Sequence, residues 1–278
     1  MTADIGARLQ DAPDAAAFLR VWLDNALLDG PAERTLKAYY RSFSRSFSPR
    51  IRRYYAAQMD EVLALVRRRP GLRLLEVGCG CGTESLWLAM HGADVLGIDV
   101  RGDRIETAKR RADVMAEHLG RPMTAEFRRA GVLDVAGDAD CDVIWMEQAF
   151  HHLEPRDAVV RHVARLLKPG GTLVISEANG WNPLLQLQLL LRRGPRTVTT
   201  FTDEDGRELP YGNERVLSAA ALRRAFAAVG VRCRSVRHFR MFPNHPIFDP
   251  LGGLEDAAAR NWLAPLLTHY NYVGEREA

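Results

Sequence analysis

The sequence lacks any apolar run as long as the roughly 20 residues that a membrane-spanning helix needs. Its longest candidate, residues 182–193, is shorter and contains two glutamines. The N-terminus lacks the basic start and apolar core of a secretory signal. Four cysteines, two of them one residue apart, give no disulfide framework. We therefore expect a cytoplasmic protein with no membrane span.

A large excess of charge is also missing. The 278 residues carry 38 basic and 35 acidic side chains, and the acids are interspersed almost throughout. No long nucleic-acid-binding tract is therefore indicated. One local exception is the segment 39–55, YYRSFSRSFSPRIRRYY, with five arginines, six aromatic residues and no acid. Hydrophobic residues make up 47% of the chain, which is typical of a globular fold.

The spacing of apolar residues predicts an α/β fold. Helical spacing covers residues 14–29 and 31–69, and the chain breaks at 67–71. The predicted strands that follow are 72–77, 93–99, 125–129, 141–146 and 171–177. The predicted helices between them are 83–91, 101–119 and 156–167, and the last ends at KPGG, residues 168–171. This alternation predicts a Rossmann-like, doubly wound and mostly parallel sheet with helices on both faces.

Residues 178–216 interrupt this alternation, and we expect them to form an inserted cap over the ligand-binding edge of the sheet. A helix at 217–229 and two strands near 231–239 and 267–274 follow and would close the sheet. Right-handed crossovers place the carboxyl ends of parallel strands along one edge, so we expect the ligand there.

The segment LLEVGCGCGTESLWLA, residues 74–89, contains three glycines spaced two apart. Gly78, Gly80 and Gly82 follow a predicted strand, and Thr83 is the predicted N-cap of the next helix. Glycine lets a ligand approach the backbone closely, and exposed N–H groups can hold a polar or anionic group. The pattern differs from the dinucleotide fingerprint G-x-G-x-x-G, because the third glycine falls one residue early.

Asp99 ends the second predicted strand, 17 residues after Gly82. A carboxylate at this position can accept hydrogen bonds from both hydroxyls of a ribose. The glycine turn and this acid together favour an adenosine-like ligand. The alternative is a tight turn beside a solvated acid.

Four segments together resemble the class I S-adenosylmethionine-dependent methyltransferases, in the small-molecule branch of that family. They are LLEVGCGCG, VLGIDV, CDVIWMEQAFHHL and LLKPGGTLVIS. The resemblance covers residues 72–177 closely and 217–274 loosely. It implies an enzyme with an S-adenosyl-L-methionine cofactor and a seven-stranded sheet that ends in an antiparallel hairpin. We further expect an N-terminal helical lid over 1–70 and a cofactor-binding methyltransferase domain over 71–278.

The resemblance also implies roles for individual residues. Glu76 and the glycine loop would surround the methionine part of the cofactor, Asp99 would bind the ribose, and Val100 would pack on the adenine. Gly131 stands where the family often has an Asp near the adenine amino group, so the backbone of residues 132–133 would serve instead. The full set expected to bind the cofactor is Glu76, Gly78, Cys79, Gly80, Gly82, Asp99, Val100, Val132, Leu133, Glu147 and Gln148.

Methyl transfer requires alignment of the acceptor, and a hydroxyl acceptor also requires a base. His151 and His152 follow the fourth predicted strand, and an imidazole can accept a proton near neutrality. We expect at most one of them to be catalytic; the alternative for each is capping or packing. His245 is a weaker candidate for the base. No metal is expected, since two thiols alone do not make a zinc site, and Cys79 and Cys81 are predicted to fill space beside the loop.

In the family, N-terminal helices often fold over the site, so residues of the segment 39–55 would face the acceptor. Arginines could hold a phosphate or carboxylate, and aromatic rings a flat or apolar body; the alternative is an amphipathic helix with a solvated basic face. Trp181 and the leucines of 184–191 could line an apolar pocket or be plain packing. The residues expected to contact the acceptor are Tyr39, Tyr40, Arg41, Phe43, Arg45, Phe150, Trp181 and His245.

The sequence therefore predicts methyl transfer to a small, partly hydrophobic metabolite, at oxygen rather than carbon or nitrogen, in natural-product or other secondary metabolism. A nucleic-acid substrate is the first alternative. The segment 39–55 favours it, and the lack of an N-P-P-Y-like or a paired-cysteine RNA-modifying signature disfavours it. A second alternative is a non-catalytic protein that binds adenosylmethionine and regulates or scaffolds a partner. The expected partner is the small-molecule acceptor, and a homodimer is left open.

Overall fold

The computed structural model describes residues 5–45, 47–243, 245–260 and 262–277, and the side chains of residues 44 and 45 lie outside the described part. The chain divides into two compact units, Met1–Ala130 and Gly131–Ala278. Within the described residues, no helix combines the length and apolar character required to cross a membrane.

The first unit begins with short helices and continues as alternating strands and helices. The short helices are α1 (Ile5–Gln10), α2 (Ala15–Asp24), α3 (Gly30–Tyr39), α4 (Arg41–Arg45), α5 (Pro49–Gln58) and α6 (Asp60–Arg68). The alternating part is β1 (Arg73–Val77), α7 (Thr83–Met90), β2 (Asp94–Asp99), α8 (Gly102–Leu119) and β3 (Ala125–Arg129). β2 pairs in parallel with both β1 and β3, so the three predicted strands of this unit are confirmed.

The predicted single helix over residues 31–69 is wrong, because the chain turns several times within it. Tyr40 leaves helical geometry with φ −95° and ψ 24°, which ends α3. Pro49 begins α5, where the Ser48 hydroxyl accepts a hydrogen bond from the Ile51 N–H. Proline lacks an N–H and clashes with the preceding turn, so it starts a helix more readily than it continues one. Apolar residues recur at helical spacing across these breaks, so the spacing alone did not indicate where one helix ends and the next begins.

The second unit starts and ends with strands of the main sheet. Its elements are β4 (Cys141–Glu147), α9 (Arg156–Leu166), β5 (Leu167–Ala178), α10 (Pro183–Arg193), β6 (Val198–Thr202), β7 (Glu208–Gly212), α11 (Ala219–Ala227), β8 (Val231–Phe239), α12 (Gly252–Ala259) and β9 (His269–Arg276). β4 and β5 are parallel, and β9 runs antiparallel to both β5 and β8. The predicted interruption over residues 178–216 contains α10 and the separate β6–β7 hairpin.

The KPGG sequence is part of β5 rather than a turn that precedes it. Cys141 pairs with Leu167, but Val143 pairs with Thr172, so extra residues of β5 bulge out of the ladder between these pairs. Gly170 has φ +74°, and a Cβ on Gly171 would lie 2.8 Å from the Lys168 carbonyl oxygen. Both glycines are therefore needed by the bulge itself, which explains why a helix-stop signature continues directly into a strand.

Seven strands form one sheet in the order β3-β2-β1-β4-β5-β9-β8. The predicted α/β class, the mostly parallel sheet and its antiparallel end are confirmed. In β4, residues 142–146 are all buried, and the consecutive residues 143–146 are apolar. This burial is typical of a sheet covered by helices on both sides.

Candidate functional site

The glycine loop follows β1 as a series of left-handed turns. Gly78, Gly80 and Gly82 have φ values of +79°, +52° and +76°, which other residues adopt only with strain. The N–H groups of Gly78 and Cys79 both donate to the Ile98 carbonyl, at 2.8 and 2.9 Å. The loop is thereby tied to the neighbouring strand β2, and its backbone is left without side chains at alternate positions.

Gly82, and not Thr83 as predicted, is the N-cap of α7. Gly82 takes the left-handed conformation, and a Cβ there would lie 2.8 Å from the Phe127 ring and 2.9 Å from the Ala108 Cβ. Thr83 is instead the first helical residue, and its hydroxyl accepts a hydrogen bond from the Tyr40 hydroxyl at 2.7 Å. The third glycine is thus required by tight packing inside the unit.

Asp99, at the end of β2, is buried and held by backbone N–H groups. One carboxylate oxygen accepts from the Gly80 N–H at 3.1 Å, and the other from the Arg101 N–H at 2.9 Å. The Arg104 guanidinium lies 3.5 Å from the first of these oxygens. A carboxylate oxygen can accept more than one hydrogen bond, so the group keeps acceptor capacity for hydroxyls of a ribose. This arrangement fits the predicted adenosine-like ligand.

Glu76 is also buried, and its carboxylate accepts a hydrogen bond from the Ser85 hydroxyl on α7. Cys79 and Cys81 are buried beside it. Burial, followed by the charge of Glu76, raises the pKa of the Cys79 thiol, and burial raises the pKa of Cys81 to about 12. Both thiols are therefore protonated near neutrality, which favours the predicted packing role over metal or redox chemistry.

Two aromatic residues of the segment 39–55 lie beside the glycine loop and the start of α7: Tyr39 beside Gly80, and Tyr40 beside Thr83. A Cβ on Gly80 would collide with the Tyr39 hydroxyl, and the Arg104 guanidinium lies 4.8 Å from the centre of the Tyr39 ring. Tyr40 is buried, and its ring lies 6.0 Å from that of Phe43. Arg41 is exposed at the start of α4; Arg45 ends that helix, and its side chain lies outside the described part. Contact of these residues with the acceptor stays a prediction.

In the second unit, the residues predicted near the cofactor occupy two turns. In the short turn 132–134, Val132 is buried and Leu133 is half exposed. Just before this turn, the Gly131 N–H donates to the Asp134 carboxylate at 2.9 Å. Glu147 ends β4, and Gln148 follows it with φ +48°. Among the described residues, the buried Gln148 side-chain nitrogen has no hydrogen-bond partner. An unpartnered amide donor at a strained position fits a polar ligand group.

His151 is paired with Glu177, a residue that sequence reasoning missed. The Glu177 carboxylate lies 2.7 Å from the His151 Nδ1 atom and accepts from the His151 backbone N–H at 3.2 Å. A carboxylate only accepts, so Nδ1 carries the proton and the neutral ring keeps its lone pair on Nε2. The parallel register pairs Glu147 with Ser176, which puts Glu177 one residue further along β5. This register exists only in the folded sheet, so no local sequence pattern indicated Glu177.

His152 is held in the same tautomer by a different acceptor. Its Nδ1 atom lies 2.8 Å from the Gly212 carbonyl oxygen, and its ring stacks on Tyr211 at 4.5 Å between centres. These contacts tie the turn after β4 to the β6–β7 hairpin. They favour the structural alternative for His152.

Acidic groups surround His151 from more than one element. Burial lowers its pKa, but the Glu177 charge and hydrogen bond, with smaller effects of Glu214 and Glu147, leave the pKa above its ordinary value of 6.5. Burial and the neighbouring His151 charge lower the pKa of His152. The two adjacent imidazoles therefore differ in proton affinity, and His151 is the stronger base.

His151, His152 and Glu214 offer ligand atoms that all lie within 4.8 Å of one another. The Glu214 carboxylate is 3.7 Å from the His151 Nε2 atom. A divalent cation could bridge such a group, yet hydrogen bonds of both Nδ1 atoms to Glu177 and Gly212 already account for the orientation of the rings. The predicted absence of a metal stays a prediction.

The other residues predicted for the acceptor are dispersed in the second unit. Phe150 is buried, with its ring 5.7 Å from Phe226 and the Arg156 guanidinium 4.9 Å from its centre. Trp181 is 65% exposed just before α10. The exposed His245 accepts from the Ile247 N–H at 3.3 Å and caps a short helical turn. This cap agrees with the alternative role of a satisfied loop histidine.

Residues 75–175 match a family model described as a methyltransferase domain. Over 108 residues, 38% of each chain, the protein is 38% identical to a methyltransferase named GfsG from Streptomyces halstedii. It is 32% identical over 119 residues to 27-O-demethylrifamycin SV methyltransferase from Amycolatopsis mediterranei, a match that covers 42% of this chain and 43% of that relative. The chain thus spans less than half the length of these curated relatives.

Among solved structures, magnesium protoporphyrin IX methyltransferase from Synechocystis PCC 6803, with bound SAH, resembles the chain with a TM-score of 0.56. The match covers 86% of this chain and 95% of that one at 18% sequence identity, so the likeness shows the fold alone. The Rossmann-like fold and the resemblance to class I methyltransferases are confirmed. For the matched domain, the enzyme prediction and the S-adenosyl-L-methionine cofactor are confirmed with them.

Proposed function

Because residues 75–175 are a methyltransferase domain, we propose that the whole chain transfers the methyl group of S-adenosyl-L-methionine to a hydroxyl of a small, partly hydrophobic metabolite. The buried pair of His151 and Glu177 carries this proposal. It provides a neutral imidazole whose Nε2 lone pair can take the hydroxyl proton. Methylation at carbon or nitrogen does not always require a base, so the presence of this pair favours an oxygen acceptor.

The first unit supplies the main cofactor contacts. The bare backbone of Gly78 and Gly80 and the acceptor capacity of Asp99 fit the methionine and ribose parts. When bound, the cofactor supplies an electrophilic methyl group on a sulfonium. The protein therefore needs to bind and orient the acceptor against that methyl group and to exclude water. In the second unit, the unpartnered amide donor of Gln148 fits a polar group of a ligand.

The second unit supplies the proton acceptor. Glu177 holds the Nδ1 proton of His151, which fixes the tautomer, orients the ring and stabilises the imidazolium that forms. The negative charge of Glu177 also raises the proton affinity of Nε2. His152 is assigned a positioning role, because its hydrogen bond to Gly212 and its stacking on Tyr211 hold the turn in place.

The acceptor class rests on two lines of support. One relative is named 27-O-demethylrifamycin SV methyltransferase, a name that indicates methylation at an oxygen. In this chain, Trp181, Leu184 and Leu187 are exposed apolar side chains before and on α10. They suit an apolar acceptor better than a nucleic acid, whose contacts are mainly with basic side chains.

The test is product formation. Purified protein is incubated with S-adenosyl-L-methionine and a panel of hydroxylated polyketides and phenols, and adenosylhomocysteine is measured by mass spectrometry. We expect adenosylhomocysteine and a methyl ether to appear in equal amounts with at least one acceptor. Binding of the cofactor with no turnover on any acceptor, or turnover on nucleic acid alone, would contradict the proposal. The domain boundaries at residue 70, a cytoplasmic location and a homodimer stay predictions.

A further inference from the structure

Arg111, on α8, has no exposed side-chain surface, although it lies within a charged run. Its Nη1 atom donates to the Cys81 carbonyl oxygen and to the Thr83 hydroxyl, both at 2.7 Å. Its guanidinium lies 4.4 Å from the centre of the Trp22 ring. A buried charge is costly unless such partners compensate for it. Two of these contacts are with the glycine loop and the first residue of α7, and the third is with α2.

The Cys81 carbonyl matters because it shares one rigid peptide plane with the Gly82 N–H. That N–H donates to the Cys79 carbonyl at 2.8 Å. Arg111 therefore fixes the orientation of the peptide that closes the loop and starts α7. Without an anchored carbonyl, a glycine-flanked peptide can rotate, and the end of the loop before α7 would lose its fixed geometry.

Three N-terminal helices meet at the same point. Trp22 comes from α2, and Tyr40, at the end of α3, donates to the Thr83 hydroxyl at 2.7 Å. Tyr55 of α5 donates a hydrogen bond to the Glu84 carboxylate, which is buried on α7. The loop and the N-terminal helices are thus joined through the first turn of α7.

We propose that Arg111 and Tyr40 are positioning residues for the cofactor, which hold the glycine loop in its binding form and couple cofactor binding to the order of α2, α3 and α5. This inference rests on the proposed function. It gives the N-terminal aromatic residues a role in cofactor binding rather than in recognition of the acceptor. Coupling is reciprocal, so the bound cofactor stabilises these helices as much as they stabilise its binding.

The experiment compares four proteins by calorimetric titration with adenosylhomocysteine: the wild type, Arg111→Lys, Tyr40→Phe and Arg110→Lys. Lysine keeps the charge but lacks the planar guanidinium that lies over the Trp22 ring, and phenylalanine removes the hydroxyl that donates to Thr83. Arg110 is exposed on the same helix and serves as the matched control. We expect Arg111→Lys to weaken binding about tenfold or more and Tyr40→Phe several-fold, in line with loss of buried hydrogen bonds, and Arg110→Lys to bind as the wild type does.

Hydrogen exchange provides the readout that a purely structural role would not change. In the wild type, adenosylhomocysteine should slow amide exchange in α2, α3 and α5; in Arg111→Lys and Tyr40→Phe that slowing should be lost or reduced. If a variant melts at a lower temperature but binds with unchanged affinity and unchanged protection, the inference is overturned. If Arg111→Lys does not fold, Tyr40→Phe decides by the same criteria. Absence of binding to the wild type would instead refute the proposed function.

Discussion

The Nδ1 atom of His151 lies 2.7 Å from a carboxylate oxygen of Glu177, and both side chains are buried. This hydrogen bond joins the turn after β4 to the carboxyl end of β5. The two strands are parallel neighbours in the sheet. It leaves the Nε2 atom of the same ring as the proton acceptor. The proposed chemistry of the second unit follows from this one contact.

Replacement of His151 by alanine should lower the methylation rate by about 10²-fold or more, the usual contribution of a general base. Affinity for adenosylhomocysteine should be unchanged, because the assigned cofactor contacts of the glycine loop remain. Steady-state kinetics and calorimetry measure the two quantities separately. His118→Ala, at the exposed end of α8, is the control. A His151→Ala variant with near wild-type rate would show that another group takes the proton.

Replacement of Glu177 by glutamine should shift the pH dependence of the rate toward acid. A general base works only when neutral, so the rate should rise with pH through the raised pKa of His151. Removal of the Glu177 charge removes the main cause of that raised pKa, and the midpoint should move down. The maximal rate should also fall, since the amide can present its NH₂ group to Nδ1 and favour the wrong tautomer. A profile with an unmoved midpoint would contradict the pairing.

Asp99→Ala should weaken cofactor binding by about tenfold or more, because it removes the predicted acceptor for the ribose hydroxyls. Asp94→Ala provides a matched control, since Asp94 is exposed at the other end of the same strand. Calorimetric titration with adenosylhomocysteine measures both variants. Equal affinities for the two would remove Asp99 from the cofactor site.

Gly82→Ala and Gly120→Ala should differ in stability although both glycines are left-handed, with φ +76° and +63°. A Cβ on Gly120 meets nothing within 4 Å, so only backbone strain of about 1–2 kcal/mol is expected. A Cβ on Gly82 would also crowd Phe127 and Ala108, which adds about 1–3 kcal/mol. Denaturant unfolding of both variants gives the comparison. Equal losses would mean that the loop relaxes freely around the added methyl group.

Much of the fold could be predicted because strand positions depend on local apolar runs and turn residues. The strands β1 and β2 were located closely, since each is a short and mostly apolar run, and β3 was located although only Ala125 and Phe127 of its five residues are apolar. The N-terminal helices were not separated, because a break at Tyr40 depends on what its side chain contacts in the folded unit. Pro49 was visible in the sequence, and its preference for helix starts could have divided the predicted helix.

The site was predicted less completely, for a physical reason that Glu177 and Arg111 illustrate. Glu177 lies 26 positions from His151 in the sequence, and only the register of neighbouring strands brings them together. Arg111 lies in a run of charged residues, a pattern typical of a solvated helix face, yet it is buried against the loop. Local patterns locate the backbone of a site, whereas long-range contacts decide which side chains complete it.

The most direct test is calorimetric titration of the purified wild-type protein with S-adenosyl-L-methionine and with adenosylhomocysteine. The account predicts saturable heat with both nucleosides at one site per chain, with a dissociation constant in the micromolar range typical of such substrates. No heat and no thermal shift with either nucleoside would contradict it.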